Sequence, residues 1–220
     1  MSVGPVEFLE LPPRQAAVTN DTEHRPWPLP EGPWLNAQTW IDLAFLHWRV
    51  DEAELRRLVP ASVELDTFDG AAWLGLTPFL LQGFRLRGLP PLPRLSTFPE
   101  LNVRTYVTHG DKPGIWFFTL DAAGLVAVEG AKKLYRLPYH HARMRCERVA
   151  EGVRYETARA GAAFSGRYRG AGALFRADPG SLEEFLTERY CLYTEDGGAC
   201  TAPRSTIRRG ICSAARRSST

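Results

Sequence analysis

The stretch Phe98-Pro-Glu-Leu-Asn-Val-Arg-Thr-Tyr-Val107 decides how the fold is read. Its residues alternate with the period of two that belongs to a strand. Leu101, Val103, Thr105 and Val107 form one face, mostly apolar. Glu100, Asn102, Arg104 and Tyr106 set an acid, an amide, a guanidinium and a phenol in a row on the other. A strand face that looks at water is usually a Lys/Glu/Thr mixture. This set suits gripping a small polar ligand inside a barrel. The structural alternative is a Glu–Arg pair that pins two strands.

Upstream, Thr39 to Val50 is dense in aromatic and aliphatic residues and predicts one buried strand, with His47 as a satisfied core-edge histidine. Asp51 can cap a short helix, with Glu54 three residues on as in a capping box and Pro60 as its stop. Val63–Phe68 and Ala71–Leu76 flank Asp69-Gly70, a dipeptide that favours a type I′ hairpin turn. Gly83 to Pro93 reads as a stiff lid or rim; its PxxP is weak evidence for a peptide ligand.

Downstream, Ile115–Leu120 is a second apolar strand, and Asp121 can cap a helix reaching about Arg136. Tyr139–Val149 alternates again and turns at Glu151-Gly152 into Val153–Ala158. Gly161–Gly172 reads as a mobile loop. Ser181 and Glu184 form a capping box for a helix over Leu182–Arg189, and Tyr190–Thr194 looks like a last strand. Many short strands with few helices point to a curled or closed sheet.

The 220 residues are enough for one sizeable core, with ordinary hydrophobic (44%) and charged (24%) content. The net charge of +2 argues for neither a nucleic-acid nor a membrane partner. Gly197–Thr220 holds five arginines and no acid; without them the 27 basic residues no longer outnumber the 25 acidic ones. The four cysteines form no CxxC pair, no leader pattern opens the chain, and no run of about 18 apolar residues could span a bilayer. The expectation is a cytoplasmic protein with reduced thiols.

The runs LAFLHWRV, ELDTFDGAAWLGLTPF, FPELNVRTYV, GIWFFTLDA, LPYHHARM and SLEEFLTERYCLYT, taken in order, resemble the YqjF-like family of uncharacterised bacterial proteins. The resemblance covers about Trp34 to Thr194. That family is similar in fold to acetoacetate decarboxylase, whose cone-like barrel binds its substrate inside. The resemblance therefore implies an α+β, β-rich fold: an acetoacetate-decarboxylase-like β-barrel with a few short helices.

The decarboxylase works through a Schiff-base lysine in a Pro-Lys-Lys motif, preceded by Gly-Arg-Glu. The second lysine and an apolar pocket lower the first one's pKa. Here Ala131-Lys132-Lys133 sits where Gly-Arg-Glu would be, and Leu137-Pro138-Tyr139-His140 where the lysines would be. Tyr139 takes the position of the reactive lysine, and a phenol cannot form an imine. The resemblance thus implies that this chain is no Schiff-base decarboxylase. Lys132-Lys133 is explained by the dipole of a helix C-terminus. Glu100 looks like the acid on a neighbouring barrel strand of the decarboxylase, and with Arg104 it makes an anionic or hydrogen-bonding ligand plausible.

His140 and His141, adjacent on a strand, face opposite sides and cannot easily share a metal. No GxSxG elbow, strand-linked GxGxxG or P-loop is present, so no cofactor is expected. Arg167 and Arg169 around Tyr168 are too small a basic patch for nucleic acid.

The organisation expected is a loose arm over 1–33, one barrel-like domain over 34–196, and a disordered or frameshifted tail over 197–220. The functional expectation is an interior that binds a small, partly apolar or anionic molecule through Glu100, Asn102, Arg104, Tyr106, Tyr139 and His140, with catalysis not implied. One rival is a lyase or hydrolase using His140, with Glu100 as a second catalytic candidate, or Lys132 or Lys133. The other is a non-catalytic interaction protein using the Gly83–Pro93 rim. A homo-oligomer stays open.

Overall fold

The computed structural model describes residues 5–20, 22–23, 25–29, 31–92, 95–124, 136–194 and 212–217. Twelve strands and three α-helices appear among them. The larger sheet follows the order β1 (Asn36–Ile41), β4 (Ala72–Leu86), β5 (Phe98–His109), β6 (Lys112–Ala122), β11 (Leu192–Tyr193). Three short strands branch from it: β2 (Leu46–Val50) on β4, β3 (Glu64–Leu65) on β5 and β7 (Tyr139–His141) on β6. The smaller sheet has the order β12 (Cys212–Arg217), β10 (Ala162–Phe175), β9 (Gly152–Arg159), β8 (Arg143–Val149). The fold is β-rich with few helices. Its larger sheet is an open path among the described residues, where the sequence suggested closure.

Local chemistry accounts for most elements. Asp51 caps α2 (Glu52–Arg56) by accepting from Ala53 N at 2.8 Å and Glu54 N at 3.3 Å. Ser181 caps α3 (Leu182–Thr187) by accepting from Glu184 N at 3.2 Å. Asp69 and Gly70 both take positive φ, as a type I′ turn requires.

Other elements differ from the sequence reading. The strand expected over Thr39–Val50 is two strands, broken at Asp42, whose φ is positive. Both pair with β4, and the break lies opposite Pro78, which has no N–H to offer a ladder. The Asp69-Gly70 hairpin closes with a single bridge, Phe68 to Ala71, because the chain before it leaves β4 and pairs through β3 with β5. Asp121 lies in β6 rather than capping a helix, and it is paired with Arg159 of β9 at 2.8 Å across the two sheets. Residues 125–135 of that expected helix, with Lys132 and Lys133, lie outside the described residues, and Arg136 at its expected end has a positive φ.

The rim is shorter than expected, since β4 runs on to Leu86; Pro93 of the PxxP lies outside the described residues. Beyond Gly161, the loop expected over Gly161–Gly172 is part of β10, whose Phe164 and Tyr168 alternate into the apolar layer between the sheets. The 1–33 arm is not wholly loose. Pro5–Ala17 forms α1, whose Leu11 and Gln15 are buried. Gln15 donates to the carbonyl of Gly83 and accepts from Arg85 Nε at 2.8 Å. Within the tail, Cys212–Arg217 pairs antiparallel with β10; residues 195–211 and 218–220 lie outside the described residues.

The two faces of β5 serve different purposes. Leu101 and Val103 pack with Val153, Tyr155 and Tyr168 of the smaller sheet. Tyr155 fixes the distance between sheets by donating to the backbone carbonyls of Glu100 at 2.7 Å and Phe79 at 3.2 Å. The opposite face of the larger sheet carries the polar row. Among the described residues no helix is long and apolar enough to cross a membrane.

Candidate functional site

Antiparallel register puts directly opposed residues on one face. Glu100 opposes Phe79, Asn102 opposes Thr77, and Arg104 opposes Gly75, which in turn opposes His47 of β2. On the other side Asn102 opposes Leu120 and Arg104 opposes Phe117; the extra residue in β6 is a bulge that keeps both apolar residues on this face. Trp40 of β1 joins through a stack on Phe79, ring centroids 4.5 Å apart. The result is a polar line set in an aromatic and aliphatic frame.

All four residues of the polar row on β5 are buried: Glu100 and Arg104 to 3% exposure, Asn102 to 1% and Tyr106 to 0%. They form two groups. At one end Tyr139 Oη donates to Glu100 Oε1 at 3.2 Å, and the Asn102 amide donates to the same carboxyl. Burial pushes the Glu100 carboxyl up from 4.5 to about 8, against the pull of those two bonds. Glu100 is therefore mostly a neutral acid at pH 7, able to give a proton.

At the other end His47 Nε2 and Tyr106 Oη are 2.6 Å apart. Tyr106 donates to the carbonyl of Leu186 in α3 at 3.0 Å, so the imidazole donates to the phenol oxygen from Nε2. Arg104 Nη2 makes long contacts to the Leu186 carbonyl at 3.3 Å and to Tyr106 Oη at 3.4 Å. Its guanidinium lies over the rings of Phe45 at 5.0 Å and Tyr106 at 5.7 Å. Burial, then the charge of Arg104, lowers His47 from 6.5 to about 3, which keeps it neutral.

Gly75 is why His47 and Arg104 can flank one backbone position. A Cβ there would lie 3.2 Å from Arg104 Cγ and 3.3 Å from the His47 ring. Arg189 stacks on Phe185 and on Tyr106, and it is paired with Asp66 at 2.5 Å. Arg104, by contrast, has no carboxylate partner among the described residues.

Six buried side-chain polar atoms have no hydrogen-bond partner among the described residues, and four of them share this face: Trp40 Nε1, Thr77 Oγ1, Asn102 Oδ1 and Arg104 Nε. Native interiors pair such atoms almost without exception.

The structure brings Glu100, Asn102 and Tyr139 together, and separately Arg104 and Tyr106. Arg104 and Glu100 sit four positions apart on one strand, roughly 13 Å between Cα atoms, so they form no ion pair with each other. His140 is placed elsewhere: it is exposed, and alternation turns it away from Tyr139. Thr77 and Trp40 escaped the sequence reading, and His47 entered it only as a core-edge histidine. Only the cross-strand register, with a glycine opposite both His47 and Arg104, identifies them. Among the described residues no three His, Cys, Asp or Glu side chains gather as metal ligands would. The rim exposes Leu86, Leu89 and Leu92.

A family model, DUF2071, described as "Uncharacterized conserved protein", matches residues 37–209. "Uncharacterized protein YqjF" of Bacillus subtilis (strain 168) is 48% identical over 169 residues, covering 76% of this chain and 70% of that relative. Among solved structures, an acetoacetate decarboxylase-like enzyme from Sphingomonas wittichii RW1 aligns with a TM-score of 0.50 at 18% identity, over 76% of this chain and 66% of that one. A structure of acetoacetate decarboxylase aligns with a TM-score of 0.50 at 13% identity, over 77% and 65%. The chain thus spans just under two thirds of those two proteins, and at such identity the likeness concerns the fold alone. By the extent of the family match and the identity to its bacillar relative, this chain belongs to the DUF2071 family of uncharacterized conserved proteins, built on an acetoacetate decarboxylase-like fold.

Proposed function

We propose that the polar face of the larger sheet lines the interior of a cone-like barrel that binds a small, partly apolar carboxylate in the cytoplasm. The observation that carries this reading is Arg104: a guanidinium buried to 3% exposure, with Nε unpartnered and no acid beside it among the described residues. A buried charge without a counter-ion is costly, and a ligand carboxylate on Nε and Nη2 would compensate it in a bidentate pair. Phe45, Phe79, Phe117 and Leu120 supply the apolar frame for the rest of the molecule.

Calorimetric titration with butyrate and benzoate tests this. Arg104→Met should weaken binding roughly tenfold or more, as loss of a charged hydrogen-bond pair implies. Absence of binding to the wild type, or equal binding to Arg104→Met, refutes it.

One observation favours a second reading, a lyase or hydrolase. The neutral Glu100 carboxyl beside the Tyr139 phenol is a candidate general acid, which exposed His140 is not. Against an imine route stands the resemblance, which puts Tyr139, a phenol, at the decarboxylase's lysine position; Lys132 and Lys133 lie outside the described residues.

A further inference from the structure

Two of the unpartnered atoms face each other. Thr77 and Asn102 are direct partners across the β4–β5 ladder, on the same face and both buried, to 0% and 1% exposure. Opposed side chains on an antiparallel pair have Cβ atoms roughly 5 Å apart, close enough for a hydroxyl to donate to an amide oxygen. Yet Thr77 Oγ1 and Asn102 Oδ1 each lack a partner among the described residues, so they do not bond each other. The Asn102 amide is held the other way, its N–H₂ given to Glu100. Its carbonyl oxygen, which can only accept, is thereby turned into the site. An atom that satisfies both must donate to Asn102 and can accept from Thr77, as a hydroxyl group on a ligand does when it takes the place of a bridging water. Arg104 Nε, the anion anchor, lies two positions along the same strand and face, roughly 7 Å away between Cα atoms.

We infer that the ligand is a hydroxy acid, its carboxylate on Arg104 and its hydroxyl, two or three carbons away, between Asn102 and Thr77. This inference rests on the carboxylate reading above and narrows it. A site built around a buried acceptor discriminates strongly against an analogue that brings no donor, because the acceptor is then left dry and unpaired. The ketone analogue is rejected for the same reason, since a carbonyl oxygen against Asn102 Oδ1 sets two acceptors together.

The test is calorimetric titration of the full chain with butyrate, racemic 3-hydroxybutyrate and acetoacetate. The wild type should bind 3-hydroxybutyrate roughly tenfold or more tighter than either analogue. Asn102→Leu should abolish that preference, reducing the ratio of 3-hydroxybutyrate to butyrate affinity to about one. Thr77→Val, which keeps shape and β-propensity, should reduce the preference severalfold, and it carries the test if Asn102→Leu does not fold. Equal binding of butyrate and 3-hydroxybutyrate, both weakened by Arg104→Met, overturns the hydroxy-acid inference and leaves the carboxylate reading standing. Tighter binding of acetoacetate overturns it too, because the amide must then be reversed. If no probe binds, both readings fall together.

Discussion

Replacing Glu100 by Gln should change how stability responds to pH, by an amount the structure fixes. Burial raises the Glu100 carboxyl from 4.5 to about 8, so the folded state holds its proton longer than the unfolded chain does. The stability tied to that proton is fully present below pH 4.5 and is lost as pH rises through 8. The gap corresponds to roughly 5 kcal/mol. His47 works in the opposite sense. Its folded value of about 3 lies below 6.5, so its contribution is present above pH 6.5 and is lost as pH falls through 3. Between 4.5 and 6.5 the two slopes cancel and the wild type should be flat. Above 6.5 only Glu100 acts, and from there to pH 8 stability should fall by about 2 kcal/mol.

Glu100→Gln keeps an acceptor for the Tyr139 hydroxyl but cannot ionise. The variant should therefore show no alkaline fall between pH 6.5 and 8. Its stability should also rise by about 3 kcal/mol from pH 4.5 to 6.5, where His47 is no longer opposed. Equilibrium urea unfolding at pH 4.5, 6.5, 8 and 8.5, on both proteins, reads this directly. A variant whose curve runs parallel to the wild type from 6.5 to 8.5 would refute the reasoning: Glu100 would then be an ordinary ionised carboxylate.

Three further outcomes follow from the same face. Arg104→Met removes a buried charge with no counter-ion among the described residues, so in the absence of ligand it should cost no more than about 1 kcal/mol and can stabilise; NMR titration should show His47 ionising above its wild-type value of about 3. Thr77→Val deletes an unpartnered buried hydroxyl and should raise stability by about 1 kcal/mol in urea unfolding, and a loss of that size instead would mean the hydroxyl is bonded. Borohydride reduction in the presence of acetoacetate should leave the mass of the intact protein unchanged, whereas a stable adduct on any lysine would overturn the assignment of Tyr139 to the reactive-lysine position.

What could be read from the chain directly was what neighbours along it decide. The alternation from Phe98 to Val107 identifies a strand with one polar face. Asp51 and Ser181 announce helix starts through side-chain oxygens two or three residues from the amides they cap. Asp69-Gly70 marks a turn because both residues tolerate positive φ. None of this depends on the rest of the molecule. What tertiary structure alone decided was pairing across distance and the desolvation that follows from it. β3 leaves its own hairpin for β5, and the presumed loop at Gly161–Gly172 is a strand, because a partner ladder and an apolar layer were waiting for them. Tyr139 meets Glu100 from 39 positions away, and His47 meets Tyr106 from 59. A carboxyl and an imidazole with ordinary pKa values in the sequence become a neutral acid and a neutral base in the fold. Charge is set by the loss of water, and a linear pattern does not contain the far strands and helix that exclude it.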